Sequence, residues 1–189
     1  MKTVLFLTQG RSSLNLFCKK GGRLPARKAA EWLICMKFDF PLDRTSYEIG
    51  MINCFIEMVA CGVKPLAISP PLSPDMLPLM EDVSKKLSDG FHTKYYVESS
   101  LMITDIQSAD FTRGKCSILY YKDDSVLRRY LEMKECVDGL MRNGTYSGQI
   151  RRDLSIEFGQ MLGYPMAEIL HKVDSETRID PITCDYIFR

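Results

Sequence analysis

The stretch spanning residues 44–87 constrains the fold of this chain most, because it contains the signals of a helix, a strand, a turn and a second helix in that order. Thr45 and Glu48 have the spacing of a capping box, which predicts the start of the first helix. The apolar residues that follow have the spacing of one buried helix face: Ile49, Ile52, Ile56 and Val59. Gly62 predicts the end of this helix, since glycine most easily takes the left-handed conformation found there.

The second half of this stretch predicts a strand and another helix. Residues 63–69 form a short apolar run of strand length, which Pro70, Pro71 and Pro74 interrupt. We expect Asp75 to cap the helix that follows, and Gly90 to end it. Four apolar residues at helical spacing predict its buried face: Met76, Met80, Val83 and Leu87.

Strand and helix signals continue on both sides of this stretch. Residues 3–8 and 14–18 predict an N-terminal hairpin, and Pro25 begins a predicted helix that reaches residue 40. Three apolar runs after residue 90 predict short strands: 93–98, 101–104 and 116–121.

The C-terminal third predicts mainly helices. A long helix is expected to begin at one of the polar residues 123–125 and to end at 143–144. A second helix should end at Gly163, Pro165 should begin a short third one, and residues 182–188 predict a last strand. The alternation favours the α/β class, with a mixed sheet flanked by helices. We expect one layered domain over 1–189, with a helical C-terminal part at 124–174. The alternative is that 124–174 forms a separate helical subdomain.

Composition excludes several classes of protein. The net charge of +1 gives no overall field for nucleic acid or membrane, and no stretch approaches the about 20 apolar residues of a membrane helix. None of the seven cysteines forms a C-x-x-C pair, and only two histidines are present, so we expect no metal site. Most of the cysteines lie in apolar runs, so we expect them to be buried free thiols, which are typical of a reducing compartment. The sequence therefore indicates a cytoplasmic protein without a membrane segment or a signal peptide.

The charge is distributed unevenly along the chain. Residues 1–30 contain seven basic residues and no acidic one, whereas the remainder contains 18 basic and 24 acidic residues, a net charge of −6. Glycines beside basic residues at a helix start let a ligand approach the backbone, where unpaired N–H groups attract anions. This pattern makes six residues candidates for binding a phosphate or carboxylate: Lys20, Gly21, Gly22, Arg23, Arg27 and Lys28. The alternative is a solvated basic loop, because the spacing of a P-loop is absent.

Two turns after predicted strands supply four further ligand-binding candidates. Ser69 and Ser73 follow one strand, and Lys122 and Asp123 follow another. Ligands of open α/β sheets prefer the carboxyl ends of strands, and a lysine beside carboxylates suits acid–base work. Helix capping explains the carboxylates equally well. Neither turn specifies a catalytic group or a cofactor.

Residues 57–66 resemble a helix-to-strand passage of the aminoimidazole ribotide synthetase and thiamine-monophosphate kinase superfamily. There an acidic residue on the helix helps to hold magnesium and ATP, and an M-G-A-x-P or Q-G-A-x-P turn follows. The resemblance implies that Glu57 occupies the acidic position. The other aspartates of that superfamily and its G-G-D-T motif have no counterpart in this chain.

Residues 158–165 are similar to an F-G-x-L-L-G-Y-P motif of uncharacterised prokaryotic proteins, and the whole of 115–171 has the same strand and long-helix layout. A cysteine pair follows the motif in those proteins. Here Met166, Ala167 and Glu168 follow, so no thiol or metal role carries over. A corner between two helices is a sufficient explanation of the motif.

These observations lead to one functional expectation and two alternatives. We expect a binding protein or enzyme for a small anionic ligand, held at the strand ends or at the basic glycine loop. The first alternative is an interaction module whose basic N-terminal third contacts nucleic acid or an acidic protein surface. The second is a mainly structural subunit with an apolar interface. The sequence specifies no oligomeric state.

Overall fold

The computed structural model describes residues 7–10, 13–16, 43–107 and 113–174. The predicted helix at 25–40, the basic loop with its six candidate residues and the predicted strand at 182–188 lie outside the described residues. The chain divides into two compact units, Met1–Leu42 with Ile182–Arg189 and Asp43–Pro181. The single domain over 1–189 therefore stays a prediction.

The described part of the first unit is a β-hairpin. Strands β1 (Leu7–Gly10) and β2 (Ser13–Leu16) are antiparallel, with Leu7 paired to Leu16 and Gly10 paired to Ser13. The predicted hairpin is thus confirmed. Its first strand lies later in the chain than the predicted range of 3–8.

The second unit is built around a three-stranded sheet. It contains β3 (Leu66–Ile68), β4 (Lys94–Glu98) and β5 (Ser117–Tyr121), in the order β3-β5-β4. Both outer strands pair antiparallel with β5. The α/β class is confirmed, but the mixed sheet is wrong for the described strands. β3 and β4 run in the same direction, yet they do not pair because β5 lies between them.

Five described helices cover the two faces of this sheet. Adjacent strand residues point to opposite faces, and the two faces of β5 belong to two separate apolar clusters. One face packs against α1 (Arg44–Ala60) and α2 (Leu77–Phe91). The other face packs against α3 (Asp124–Arg142), α4 (Gly148–Met161) and α5 (Met166–Asp174).

The clusters on the two faces form two hydrophobic cores. The first core consists of Ile52, Ile56, Val59, Ala67, Leu72, Met80, Ile118 and Tyr120. The second core consists of Leu66, Met102, Ile106, Leu119, Tyr121, Tyr130, Met133, Val137, Phe158, Leu162 and Ile169. Every residue of β5 is buried, because helices cover this strand on both faces.

Two helix starts differ from the sequence prediction. Asp43, rather than Thr45, caps α1, since its carboxylate accepts a hydrogen bond of 2.6 Å from the Ser46 amide. The helix therefore begins before the predicted capping box. Helix α2 begins after Met76, which makes no side-chain capping bond, so the predicted cap at Asp75 is wrong. A hydrogen bond with Ser73 instead lowers the pKa of Asp75.

Three glycines end helices as the sequence predicts. Gly62, Gly144 and Gly163 all have positive φ, at 73°, 68° and 72°. Helix α2 passes the predicted stop at Gly90 and ends at His92, which takes the left-handed conformation with φ 54°.

The predicted strand at 101–104 is wrong, because this segment makes no ladder with another described strand. Its apolar character comes from core packing, since Leu101 and Met102 are buried. The segment then forms a tight turn in which the backbones of Thr104 and Gln107 exchange hydrogen bonds of 3.0 and 3.2 Å.

Candidate functional site

The two strand-end turns that the sequence nominated lie at opposite ends of the sheet. The amide of Ser69, just after β3, donates to the Ile118 carbonyl of β5 at 2.8 Å. Lys122 lies four residues beyond Ile118, so it is about 13 Å further along the sheet. Because β3 and β5 are antiparallel, Ser69 and Ser73 do not share a surface with Lys122 and Asp123.

The Ser69 side chain is part of the sheet and only 3 % exposed. Its hydroxyl accepts from the Ile118 amide at 2.9 Å and donates to the Pro70 carbonyl at 2.9 Å. Pairing with β5 then resumes at Leu72, which exchanges two hydrogen bonds with Cys116. The Ser69 hydroxyl therefore adds a hydrogen bond to β5 just before the two prolines interrupt the pairing. Ser73 is exposed in the turn.

The second turn, after β5, works as a helix start. Asp123 caps α3 by accepting a hydrogen bond of 2.9 Å from the Ser125 amide, and this bond lowers the pKa of Asp123. The exposed Lys122 points towards the end of α1, with its Nζ 3.5 Å from the Ala60 carbonyl oxygen. The Asp123 contact matches the capping alternative.

A different set of polar side chains lies at the end of the sheet where β4 finishes. We call Glu98, Ser117, Tyr130 and Lys134 the Glu98 cluster. Glu98 is 3 % exposed, and its Oε1 accepts from Lys134 Nζ at 2.7 Å. The Ser100 amide donates to the same oxygen at 3.0 Å. A carboxylate this deeply buried requires such a partner, since an isolated buried charge is strongly unfavourable.

Three polar atoms of the Glu98 cluster have no hydrogen-bond partner among the described residues. They are Glu98 Oε2, Ser117 Oγ and the Tyr130 hydroxyl. Burial raises the pKa of Tyr130, and the nearby Glu98 carboxylate raises it further.

The turn at 104–107 is fixed by a second polar group, the Asp105 cluster, formed by Asp105, Arg151 and Ser155. Arg151 Nε donates to Asp105 Oδ1 at 2.9 Å. Ser155 Oγ accepts from the Asp105 amide and donates to Asp105 Oδ2, each at 3.2 Å. The Asp105 side chain is 8 % exposed. The cluster thus ties the segment after β4 to α4, and each of its members has a partner.

Sequence reasoning missed both clusters because their members are far apart in the chain. Glu98 and Lys134 are 36 residues apart, and Asp105 and Arg151 are 46 residues apart. One local signal existed, since Ser117 interrupts an otherwise apolar strand. The pairing of Ser117 with Glu98 becomes visible only in the register of β4 and β5.

The F-G-x-L-L-G-Y-P-like segment forms the corner between α4 and α5. A Cβ on Gly159 would lie 2.8 Å from the Ile169 side chain, so glycine lets the two helices meet. Lys64 Nζ donates to the Leu162 carbonyl at 2.6 Å and lies 4.3 Å from the centre of the Tyr164 ring. Partial burial lowers the pKa of Lys64. Packing at the corner between the two helices therefore accounts for the residues of this segment.

Glu57, the position that the superfamily resemblance assigns to magnesium and ATP, is exposed on α1. Its carboxylate accepts a hydrogen bond of 2.8 Å from Asn53 Nδ2. Across the described part of the chain, no group of three or more His, Cys, Asp or Glu side chains is arranged to hold a metal ion.

The described cysteines are all free thiols, and their exposure differs from the sequence prediction. Cys54, Cys61 and Cys136 are exposed, and Cys116 is half-buried. The expectation of buried thiols is wrong for these residues, because each of the three lies on the outer side of a helix or at its end. None of the described helices has the length and apolar content required to cross a bilayer.

Comparison of the chain with known protein families, curated proteins and solved structures gives no match.

Proposed function

We propose that this protein binds a small anionic ligand carrying a phosphate or carboxylate group, and that the basic glycine loop receives it. The binding groups in this proposal are Lys20, Gly21, Gly22, Arg23, Arg27 and Lys28. The observation that carries the proposal is the charge distribution. Residues 1–30 carry a net charge of +7, while residues 43–174 contain 15 basic and 19 acidic residues, a net charge of −4.

Contacts within residues 43–174 support this assignment, because many cations there already face carboxylates. Seven basic side chains form salt bridges: Arg44, Lys86, Lys94, Arg129, Lys134, Arg151 and Arg152. Lys64 and Lys122 instead donate to backbone carbonyls. An anion would have to compete with these internal partners, whereas residues 1–30 contain no carboxylate side chain to compete with it.

The end of the sheet that carries Ser69 and Ser73 is less suited to an anion. β4 finishes at this end, and the buried carboxylates of Glu98 and Asp105 lie in β4 and in the segment after it. These carboxylates already hold the nearby cations, because Glu98 pairs with Lys134 and Asp105 pairs with Arg151. The basic loop is therefore the favoured of the two locations that the sequence suggests.

The same charge excess also favours a second candidate, an acidic macromolecule such as a polynucleotide or an acidic protein. The two candidates differ in their response to salt. Binding to a polynucleotide weakens steeply as salt rises, in proportion to the phosphates contacted. A small ligand held by a few groups should show a shallow salt dependence and saturate at one site.

The test compares two double variants of the full chain. Arg23→Gln with Arg27→Gln removes two charges from the basic loop, and Arg128→Gln with Arg142→Gln removes two exposed arginine charges from α3 as the matched control. Inorganic phosphate, ATP, citrate and a short oligonucleotide are titrated by calorimetry at two salt concentrations. We expect saturable binding by the parent and the control, and weakened binding by the loop variant, because arginine holds two oxygens at once.

Two results would remove this proposal. Equal binding by the loop variant and the control would place the anion elsewhere, and no binding of any probe by the parent would leave the loop as a solvated surface. A steep salt dependence with the oligonucleotide alone would select the second candidate.

A further inference from the structure

The corner between α4 and α5 carries an exposed apolar surface. Six large apolar residues are exposed in the part of the chain that the structure describes: Val63, Leu79, Leu131, Ile150, Tyr164 and Met166. Leu79, Leu131 and Ile150 lie singly on three different helices, and isolated apolar residues are normal on protein surfaces. The other three lie together at this corner, with exposed fractions of 67, 48 and 44 % for Val63, Tyr164 and Met166.

Contacts across the corner join these residues into one surface, although they come from distant parts of the chain. A Cβ on Gly163 would lie 3.3 Å from the Val63 carbonyl oxygen, so the segment before β3 touches the corner. Lys64 Nζ lies 4.3 Å from the centre of the Tyr164 ring. Met166 follows closely, as the first residue of α5. We call Val63, Lys64, Tyr164 and Met166 the corner surface.

The ammonium group of Lys64 has no carboxylate partner among residues 43–107 and 113–174. Its contacts there are the Leu162 carbonyl oxygen, at 2.6 Å, and the Tyr164 ring. Burial lowers the pKa of Lys64, because the surroundings remove part of the water from the ammonium group. A cation in this position gains a strong, charge-assisted hydrogen bond when a carboxylate reaches it.

This charge decides between two kinds of occupant. A second copy of the chain, bound about a twofold axis through this surface, would bring two Lys64 ammonium groups close together, and like charges across an interface are unfavourable. A segment with apolar side chains and a carboxylate would instead cover Val63 and Met166 and pair with Lys64. Tyrosine and methionine are also enriched in protein interfaces.

We propose that the corner surface docks a segment of a partner protein, whose apolar side chains cover Val63, Tyr164 and Met166 and whose Asp or Glu side chain binds Lys64. Few residues take part, so we expect a weak and transient complex. None of the four residues belongs to the basic glycine loop, so this inference does not rest on the proposed function.

The first test selects ligands without assuming their sequence. A phage-displayed library of random peptides is selected on the full chain and on two double variants. Val63→Ser with Met166→Ser removes apolar contacts from the corner surface, and Leu79→Ser with Ile150→Ser is the matched control, at residues 45 and 50 % exposed. We expect peptides that combine apolar residues with Asp or Glu to be enriched on the parent and the control, but not on the corner variant.

Three results of this selection would overturn the proposal. They are the absence of any enriched peptide, enriched peptides without an acidic residue, and equal enrichment on the corner variant. Sedimentation of the parent tests the second copy directly. A dimer that dissociates when Val63 and Met166 become serine would place another chain on this surface and overturn the proposal as well.

The second test examines the charge, with the most enriched peptide made in its acidic form and with Gln or Asn in place of the acidic residue. In calorimetry, the parent should bind the acidic peptide about tenfold more tightly, because hydrogen bonds between charged groups are stronger. Lys64→Met keeps the length of the side chain and should bind both peptides equally. Lys86→Met, at an exposed lysine of α2, should keep the tenfold difference.

The comparison of the two peptides on the parent needs no variant to fold. Equal affinities of the parent for both peptides would overturn the proposal. A preference for the acidic peptide that persists in Lys64→Met would assign the carboxylate to another cation, and it would overturn the proposal too.

Discussion

The two cores on either side of β5 each contain one completely buried tyrosine, and the hydroxyls of these two tyrosines have different surroundings. In the first core, Tyr120 lies 2.7 Å from Ser84 Oγ. The single hydrogen of Ser84 points to the Met80 carbonyl, so Tyr120 donates to Ser84. In the second core, the Tyr130 hydroxyl lies near the Glu98 carboxylate and the Met102 backbone, without a hydrogen bond of good geometry to either.

The two layers also differ in the polar groups that they contain. Helices α1 and α2 contribute the hydrogen-bonded pair of Ser84 and Tyr120, and they also contain two buried polar atoms without a partner among the described residues, Glu48 Oε2 and Ser88 Oγ. Helix α3 brings a cation and a hydroxyl over the buried carboxylate of the strand that it covers. Loss of the Lys134 contact would leave the Glu98 carboxylate unpaired in the second core, which is strongly unfavourable for a buried charge.

The largest expected effect comes from truncating the two faces of β5. Ile118→Ala opens the first core and Leu119→Ala opens the second, and both residues are 0 % exposed. We expect each to lower the free energy of unfolding by about 2–5 kcal/mol in urea denaturation. Val63→Ala, at a residue that is 67 % exposed, is the control. A loss below about 1 kcal/mol in either core would show that the face is not packed as described.

Loss of the Lys134 charge should have the next largest effect. Lys134→Met keeps the length of the side chain and leaves Glu98 as an unpaired buried carboxylate, at an expected loss of about 3 kcal/mol. Lys86→Met breaks the exposed pair with Asp82 and should change stability little. Equal effects of the two substitutions in urea unfolding would show that Glu98 is hydrated and that the second core is not closed.

The two buried tyrosines also predict how stability changes at alkaline pH. Burial raises the pKa of both Tyr120 and Tyr130. The unfolded chain therefore releases these protons first, and stability falls as pH rises above about 10, by about 1.4 kcal/mol per pH unit for each tyrosine.

Absorbance near 295 nm tests this prediction, since tyrosinate absorbs there. Tyr120→Phe and Tyr130→Phe should each remove part of the alkaline loss and part of the absorbance change that accompanies unfolding. Titration of either hydroxyl while the protein remains folded would contradict its burial.

The smallest effects are expected at the helix caps of the two layers. Asp43→Ala and Asp123→Ala each remove an acceptor for a helix amide, from Ser46 and Ser125 respectively. The folded pKa of both carboxylates is lowered, so their contribution is present at neutral pH and is lost as pH falls through that folded value. Asp→Asn at either position should retain most of the thermal stability. An Asn variant as unstable as the Ala variant would show that charge, rather than capping, matters.

Periodic patterns predicted the helices because burial repeats along them. Ile52, Ile56 and Val59 are all buried as their spacing requires. The start of α1 was placed too late because Thr45 and Glu48 fit a capping box, while the effective cap, Asp43, has no such pattern around it. The segment 101–104 resembled a strand because buried irregular chain is as apolar as buried strand.

The arrangement of the strands could not be predicted, because it depends on contacts between distant residues. Nothing in the local sequence of β5 indicates that it lies between β3 and β4. The Glu98 cluster depends on this arrangement, since Ser117 meets Glu98 only through their pairing. The basic loop was chosen from charge alone, and it remains a prediction.

The position of β5 has a consequence for how the sheet is made during synthesis. β5 is the central strand, yet it is the last of the three to be translated. When β4 leaves the ribosome, neither β3 nor β4 has its ladder partner. The backbone groups that pair with β5 remain unpaired in both strands until residues 117–121 emerge. A ribosome-bound chain halted before residue 117 should therefore be more sensitive to protease and more prone to aggregate than one halted well beyond residue 121.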